Sequence, residues 1–429
     1  MIKFEKKTLS YFLILLVLLS YFFGFYIREI SNGAGHVDLE LHIWLIINDL
    51  RQDYFETIRN YHSYSEPTFP FFHTFQSFLN PATTSIFYCL NNTIFNLIII
   101  FIFYKFLKLK KIEFDNNFLI ILVPYVILLS PWFRSSSYWG MTENFPFFFL
   151  IPSLYFLNLL IINKISFNEN LVLTILISLT LYARQQYLFL AVYHLLILLL
   201  NNDKKKLIYS IIFYSILSIP GFYILSTWGA FNDLSQTTSA SNNLSIQNIF
   251  FNIPKISSLL FFYSIPVIFL NFMQFSKIFF QKKCLSIFII ILVLKLIVFH
   301  DINYPIKGGG YVVKFNQIFF DNDPKFLILI SSAFFAFIIS IVSLNNYKYF
   351  LILPLIYLNF GFITFLYQEW FDPLYIFIYY IFLSNDHILY LRLNKNSTIK
   401  FLFVWEFAIL IIALIYYHLV KDIPLFYSF

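Results

Sequence analysis

Long apolar runs alternate with short polar segments along the whole chain, and many of the polar segments carry lysine. A helix needs about 20 apolar residues to cross a bilayer. The pattern predicts spans at 8–27, 84–104, 117–132, 146–163, 170–183, 187–200, 207–228, 256–273, 285–299, 326–344, 349–366, 374–390 and 401–420. The expected architecture is therefore an all-α polytopic membrane protein, a single transmembrane domain over 1–429 with about 13 transmembrane helices. A long, partly helical first outer loop covers 28–83, and a late outer loop covers 300–325.

The count turns on one place. Arg184, Gln185 and Gln186 interrupt the apolar stretch 170–200. Two short helices meeting at a polar corner, or one long helix with a buried arginine, both fit the pattern. Charge decides between them. With two helices and a cytoplasmic N-terminus, the inner segments hold Lys3, Lys6, Lys7, Lys105, Lys108, Lys110, Lys111, Lys164, Lys204–Lys206, Lys277, Lys282, Lys283, Lys348, Arg392, Lys395 and Lys400. That places 18 of the 29 basic residues inside, as the positive-inside rule asks. A single helix would put Lys204–Lys206 outside and invert everything after them.

Composition agrees. Apolar residues make up 59% of the chain and charged residues 12%, against roughly 25% charged in soluble domains. The net charge of +7 resides between spans, which argues for a membrane and against nucleic acid. Cys89 and Cys284 are the only cysteines, too few for a disulfide framework. The N-terminal run MIKFEKK has no small-residue cleavage site after its apolar stretch, so it reads as a retained first helix. The expected location is a bacterial inner membrane.

Chemistry gathers on the outer side, where 15 of the 22 acidic residues fall. In the first outer loop, Leu41, Ile43, Trp44, Ile46, Ile47, Leu50 and Tyr54 recur near helical spacing. They predict an amphipathic helix at the membrane interface, with Asp38 as its cap. The cluster His36, Asp38, Glu40 and His42 can alternatively hold a divalent metal, although its spacing matches no standard ligand set. A second outer segment, SPWFRSSSYWGMTENF, carries Arg134 and Glu143. Arg134 either snorkels to the interface or grips a phosphate with its forked guanidinium. The Arg184-Gln185 corner is the third outer element, and polar groups at membrane depth line protein or a wet cavity. The fourth is HDINYPIKGGGYVVKF, where Lys307 and Lys314 flank three of only ten glycines. A glycine-rich turn beside lysine can cradle phosphate. The fifth, YQEWFDPLY, brings Tyr367, Gln368, Glu369 and Asp372 just outside two spans. At mid-membrane depth the sequence shows few ionisable groups, chiefly Lys295, Glu406 and His194.

HVDLELH at 36–42, followed by YHSYSEPTFPFFH at 61–73, resembles the first outer loop of GT-C fold membrane glycosyltransferases, which use polyprenyl-phosphate sugars as donors. The likeness extends to relatives of the dolichol-linked oligosaccharide alpha-1,2-glucosyltransferase, through the Arg184-Gln185 corner, and to uncharacterised bacterial members, through SPWFRSSSYWGMTENF and YQEWFDPL. Two features depart from those relatives: Leu39 splits their adjacent Asp-Glu pair, and GGGYVVKF stands where they carry a late DNRHY-type motif. The resemblance implies inverting sugar transfer from a polyprenyl-phosphate sugar to a hydroxyl on a glycan, lipid or protein acceptor. It implies Asp38 as general base, with Glu40 the alternate. His42, His73 and Glu143 would shape the acceptor side. Arg134, Arg184, Lys307 and Lys314 would meet the phosphate, with Gln185, Tyr367 and Gln368 lining the site. No cofactor is required by that chemistry, and a divalent metal stays open. Two rivals from other classes are a lipid-linked oligosaccharide flippase or polysaccharide exporter, which should carry charges inside the bundle, and an O-antigen-type polymerase or ligase, whose large outer loop comes late.

Overall fold

The computed structural model describes residues 2–31, 35–60, 69–110, 118–227, 246–270, 272–280, 346–361, 371–383 and 395–420, with a few single positions between them. Every regular element among them is helical. Helix α1 (Ile2–Tyr26) is followed by a continuous helical run: α2 (Gly35–Asp38), a π-helical turn (Leu39–Ile43) and α3 (Trp44–Gln52). Then come α4 (Tyr54–Arg59), α5 (Phe69–Leu79) and α6 (Ser85–Leu109). A bent segment holds α7 (Val123–Val126) and α8 (Pro131–Tyr138). The chain continues through α9 (Phe147–Ile161), α10 (Phe167–Ala183), α11 (Leu188–Leu200), α12 (Lys204–Thr227), α13 (Ile246–Leu270) and α14 (Phe272–Phe279). The described part closes with α15 (Ile352–Gly361), α16 (Leu374–Phe377) and α17 (Asn396–Ile415).

Among the described residues five helical stretches are long and apolar enough to cross a membrane: Lys7–Tyr26, Ser85–Leu109, Lys204–Ile224, Asn252–Leu270 and Asn396–Leu419. The pair Ile120–Leu129 and Pro131–Tyr138 makes a sixth if it is one span broken by its 62° bend. The bend has a sequence cause. Pro131 has no N–H to give to the preceding turn, and Ser130 leaves the helical region and caps α8 by accepting from the Phe133 amide at 3.2 Å. Helices α9, α10 and α11 are apolar but shorter. The outward faces are oily: Ile216, Ile219 and Phe222 on α12 are 56%, 62% and 57% exposed. In water such a belt would drive aggregation, whereas hydrocarbon accepts it. The chain is a membrane-embedded, multi-pass helical protein.

The 170–200 stretch forms two helices, not one. α10 ends at Ala183, Arg184 takes an extended conformation, and Gln185–Tyr187 makes a single tight turn before α11. The start of α10 is fixed by a capping box, in which Ser166 Oγ accepts from the Glu169 amide at 3.3 Å and Glu169 accepts from the Ser166 amide at 2.7 Å. His194 on α11 is fully satisfied, its ring nitrogens meeting Tyr214 Oη at 2.9 Å and Asn170 Oδ1 at 3.0 Å. It pins three helices together.

Polar contacts sort to the two ends of the bundle. At one end Lys348 Nζ donates to Asn201 Oδ1 at 2.5 Å, and Asn201 Nδ2 donates to Leu160 O at 3.0 Å. There too Lys110 Nζ donates to the Tyr380 and Leu383 carbonyls, satisfying the open end of the turn that follows α16. These residues all lie in or beside the segments that charge counting places inside. The other end holds the candidate site.

Candidate functional site

The second outer segment, 130–146, is where the outer elements meet. Its serines and Asn144 fold it into a compact knot: Asn144 Nδ2 donates to Phe133 O and to Ser137 Oγ, both at 2.9 Å. Asn92 of α6 donates to Ser137 O at 2.9 Å, locking the knot to that helix. Gly140 turns the chain with φ +66, and Tyr88 packs so closely there that a Cβ would collide with its ring.

From this knot Arg134 reaches back to α1. Its Nε donates to Glu29 Oε1 at 2.8 Å and its Nη2 to Glu29 Oε2 at 2.5 Å. Nη2 also donates to Ser20 O at 2.9 Å, and Nη1 donates to Ser20 Oγ and Leu128 O, each at 3.2 Å. All five N–H groups of the guanidinium are engaged, and the side chain is 2% exposed. This corrects the expectation that Arg134 snorkels or holds a phosphate, since no donor is left over. Its partner Glu29, one of the acids that the sequence pattern counts outside, lies just past the end of α1. Trp139 Nε1 adds a bond to Glu29 O at 3.2 Å, and Ser31 Oγ bonds Pro131 O at 2.7 Å.

The first outer loop docks on the same knot. Gly35 lies flat on Trp139, leaving no room for a Cβ, and the His36 ring meets Trp139 edge-on at 5.9 Å. Leu39, Ile43, Ile47 and Leu50 are buried, so the helix is amphipathic, with Leu39 rather than the expected Leu41 on its buried face. Val37, Leu41 and Leu45 line its opposite, exposed edge. Asp38, however, does not cap it. Its backbone is helical and its side chain makes no cap bond, because the helix begins earlier, at Gly35. The cap expected there belongs instead to Asp53, which accepts from the Glu56 amide at 3.0 Å and starts α4. Asp38 is partly buried and Glu40 exposed on the outer rim, and His42 lies in the same turn. Arg51 secures the far end of α3 by donating to Ser77 O at 3.3 Å, Ala82 O at 2.8 Å and Asn80 O. Those carbonyls belong to the last turn of α5 and the residues just after it, and α5 carries His73. Burial pulls the His73 imidazole down to about 3, so it is neutral at pH 7. Among the described residues no group of three or more His, Cys, Asp or Glu side chains is arranged to hold a metal ion.

Glu143 leaves the knot on its other side to meet the corner. Arg184 Nη2 donates to Glu143 Oε1 at 2.9 Å and Nη1 to the same oxygen at 3.2 Å. Both side chains are 12% exposed, and Glu143 Oε2 makes no hydrogen bond. Gln185 is exposed beside them, while the Gln186 carbonyl accepts from Asn359 Nδ2 of α15 at 2.8 Å.

The fifth outer element joins through Ser130, whose hydroxyl faces the Asp372 carboxyl together with that of Tyr263, without either carboxyl oxygen completing a well-formed hydrogen bond. Gln368 Nε2 donates to Tyr263 Oη at 2.6 Å. Tyr263 stacks on Tyr375 at 4.6 Å, and Tyr375 hydrogen-bonds Glu406 Oε1 of α17. Burial pushes the Asp372 carboxyl up from the ordinary carboxylate range. Sequence reasoning noted Asp372 and Glu406 separately and did not connect them. It missed Lys255, a lysine that is 3% exposed inside α13. The signal was present in each case as one ionisable residue in an apolar run. Lys307, Lys314 and Tyr367 lie outside the described residues, as do Lys295, Glu369 and the late outer loop.

Three of the other four outer elements thus converge on this segment, and the bundle interior holds more ionisable groups than the sequence suggested. No protein-family model, curated protein or solved structure matches the chain.

Proposed function

We infer that the chain is a membrane glycosyltransferase that moves a sugar from a polyprenyl-phosphate donor to an acceptor hydroxyl on the non-cytoplasmic side. The observation that carries this reading is the convergence on segment 130–146: a partly open carboxylate helix (Asp38, Glu40) and a partly open Arg184–Glu143 pair are both anchored to it. Thirteen spans with the N-terminus in the cytoplasm put that segment on the outer face. A bacterial inner membrane is the compartment that fits. In the reaction, Asp38 removes the proton from the acceptor hydroxyl as its oxygen bonds to the anomeric carbon. The bond from that carbon to the phosphate oxygen breaks, with inversion, and the lipid phosphate leaves with the electron pair. Arg184, with Lys307 and Lys314, neutralises the developing phosphate charge. Glu40 is the alternate base, His42, Glu143, Gln185, Tyr367 and Gln368 line the acceptor and donor, and His73 shapes the wall behind them.

A transfer assay with labelled polyprenyl-phosphate sugars in membranes containing the protein tests this. Asp38→Asn should abolish transfer, and Arg184→Ala should weaken donor use more than acceptor use. Transfer that survives Asp38→Asn removes the base assignment, and absence of transfer with every donor removes the reading. The second reading is an exporter of lipid-linked glycans. The acids Asp372 and Glu406 inside the bundle favour it, because intramembrane carboxyls are characteristic of coupled transport.

A further inference from the structure

Among the described residues, buried charges differ in how they are compensated. Glu29 has Arg134, and Lys110 has two carbonyls. Asp372 and Glu406 are 1% and 0% exposed and have no ion-pair partner among the described residues. Both Asp372 oxygens and Glu406 Oε2 lack a well-formed hydrogen bond. The two carboxyls feel each other's charge across Tyr375.

Among the described residues, each packed element contributes a hydroxyl or amide at the two acids and none pairs a cation with them. Tyr263 comes from α13, Tyr375 from α16, Ser130 from the segment ahead of α8, and Gln368 from the outer turn. Two carboxylates in so dry a space repel and are poorly solvated, so the pair cannot hold two negative charges. A tyrosine hydroxyl both donates and accepts, so Tyr375 can serve a proton on Glu406 and Tyr263 a proton on Asp372.

We propose that Asp372 and Glu406 form a proton-binding site in which the two carboxyls together hold a single proton, with Tyr375 bonded to Glu406 and Tyr263 linking Asp372 to the outer turn at Gln368. The step balances simply: a carboxyl O–H of Asp372 breaks, a carboxylate is left, and the proton passes by way of the Tyr263 hydroxyl to water at the outer turn. The site rests on neither functional reading above. It supplies a proton store to a transferase or a coupling ion to an exporter.

Infrared spectroscopy of the purified protein, without any substrate, tests it. The wild type should show a protonated-carboxyl C=O band at pH 7 that shifts in heavy water. The double variant Asp372→Asn/Glu406→Gln should lose that band. Each single variant should lose it at a lower pH than the wild type, since the like charge is gone. Tyr375→Phe, which keeps the packing, should shift the band to higher frequency by removing the hydrogen bond to Glu406. A wild type with no such band at pH 7, a band that persists in the double variant, or a band unmoved by Tyr375→Phe would each overturn the proposal.

Discussion

Two pairs of ionisable side chains buried among the described residues are built on opposite principles. Glu29 and Arg134 balance charge and saturate every donor. Asp372 and Glu406 share a sign and leave three carboxyl oxygens unserved. A balanced, saturated pair has nothing left to offer a ligand, and its work is to fasten. An unbalanced pair leaves chemical capacity in reserve. Burial alone therefore does not mark a functional residue here; what matters is whether the burial is compensated.

Breaking the balanced pair should have the largest effect. Glu29→Ala leaves a buried guanidinium unpaired and should destabilise the fold by about 3–5 kcal/mol, read as loss of thermal stability in detergent. Arg134→Ala should do the same, and restoring neutrality on both sides with Glu29→Gln/Arg134→Met should recover part of the loss. Next comes the Arg184–Glu143 pair. Glu143→Ala removes a charge-assisted bond and should destabilise by about 1.5–3 kcal/mol. Ser166→Ala, a surface cap remote from both pairs, should lower stability by about 1 kcal/mol and sets the scale for an ordinary local bond. Smallest in size, and opposite in character, is Asp372→Asn. It removes a poorly solvated acid, so stability at pH 7 should change by less than about 1 kcal/mol or rise. The pH dependence sharpens the contrast. The folded-state value of Asp372 is raised, so the fold binds a proton that the unfolded chain releases. Stability then falls as pH rises from the ordinary carboxylate range through the raised value, and Asp372→Asn should flatten that fall. A steeper fall in the variant would contradict it.

Much of the architecture was legible from the sequence. The five long apolar helices follow from apolar run length, and the break at Arg184 is the one that the positive-inside rule asks for if Lys204–Lys206 are to share a side with the other lysine clusters. The amphipathic helix of the first loop followed from its spacing, yet its start did not. Gly35 is tolerated at the helix start because it lies against Trp139, a tertiary contact that no local pattern announces. The same limit applies to the ionisable residues. Arg134 reads as a phosphate ligand until its partner, 105 residues away, is known. Asp372 and Glu406 read as isolated acids because Tyr375 joins them only in three dimensions. Sequence identifies which residues are chemically unusual. Compensation is a property of pairs, and pairs are made by the fold.

Gly24 carries a consequence for biosynthesis. A side chain there would strike Arg134, Glu29 and Tyr138, so the glycine keeps a slot open in α1. On the proposed topology, α1 reaches the outer face long before Arg134 is synthesised. Glu29 must wait there, hydrated, through two further crossings of the membrane. Only when segment 130–146 emerges can the arginine enter the slot and seal the first helix to the third crossing. The outer end of the bundle is thus latched late, by a residue whose place was reserved early in translation.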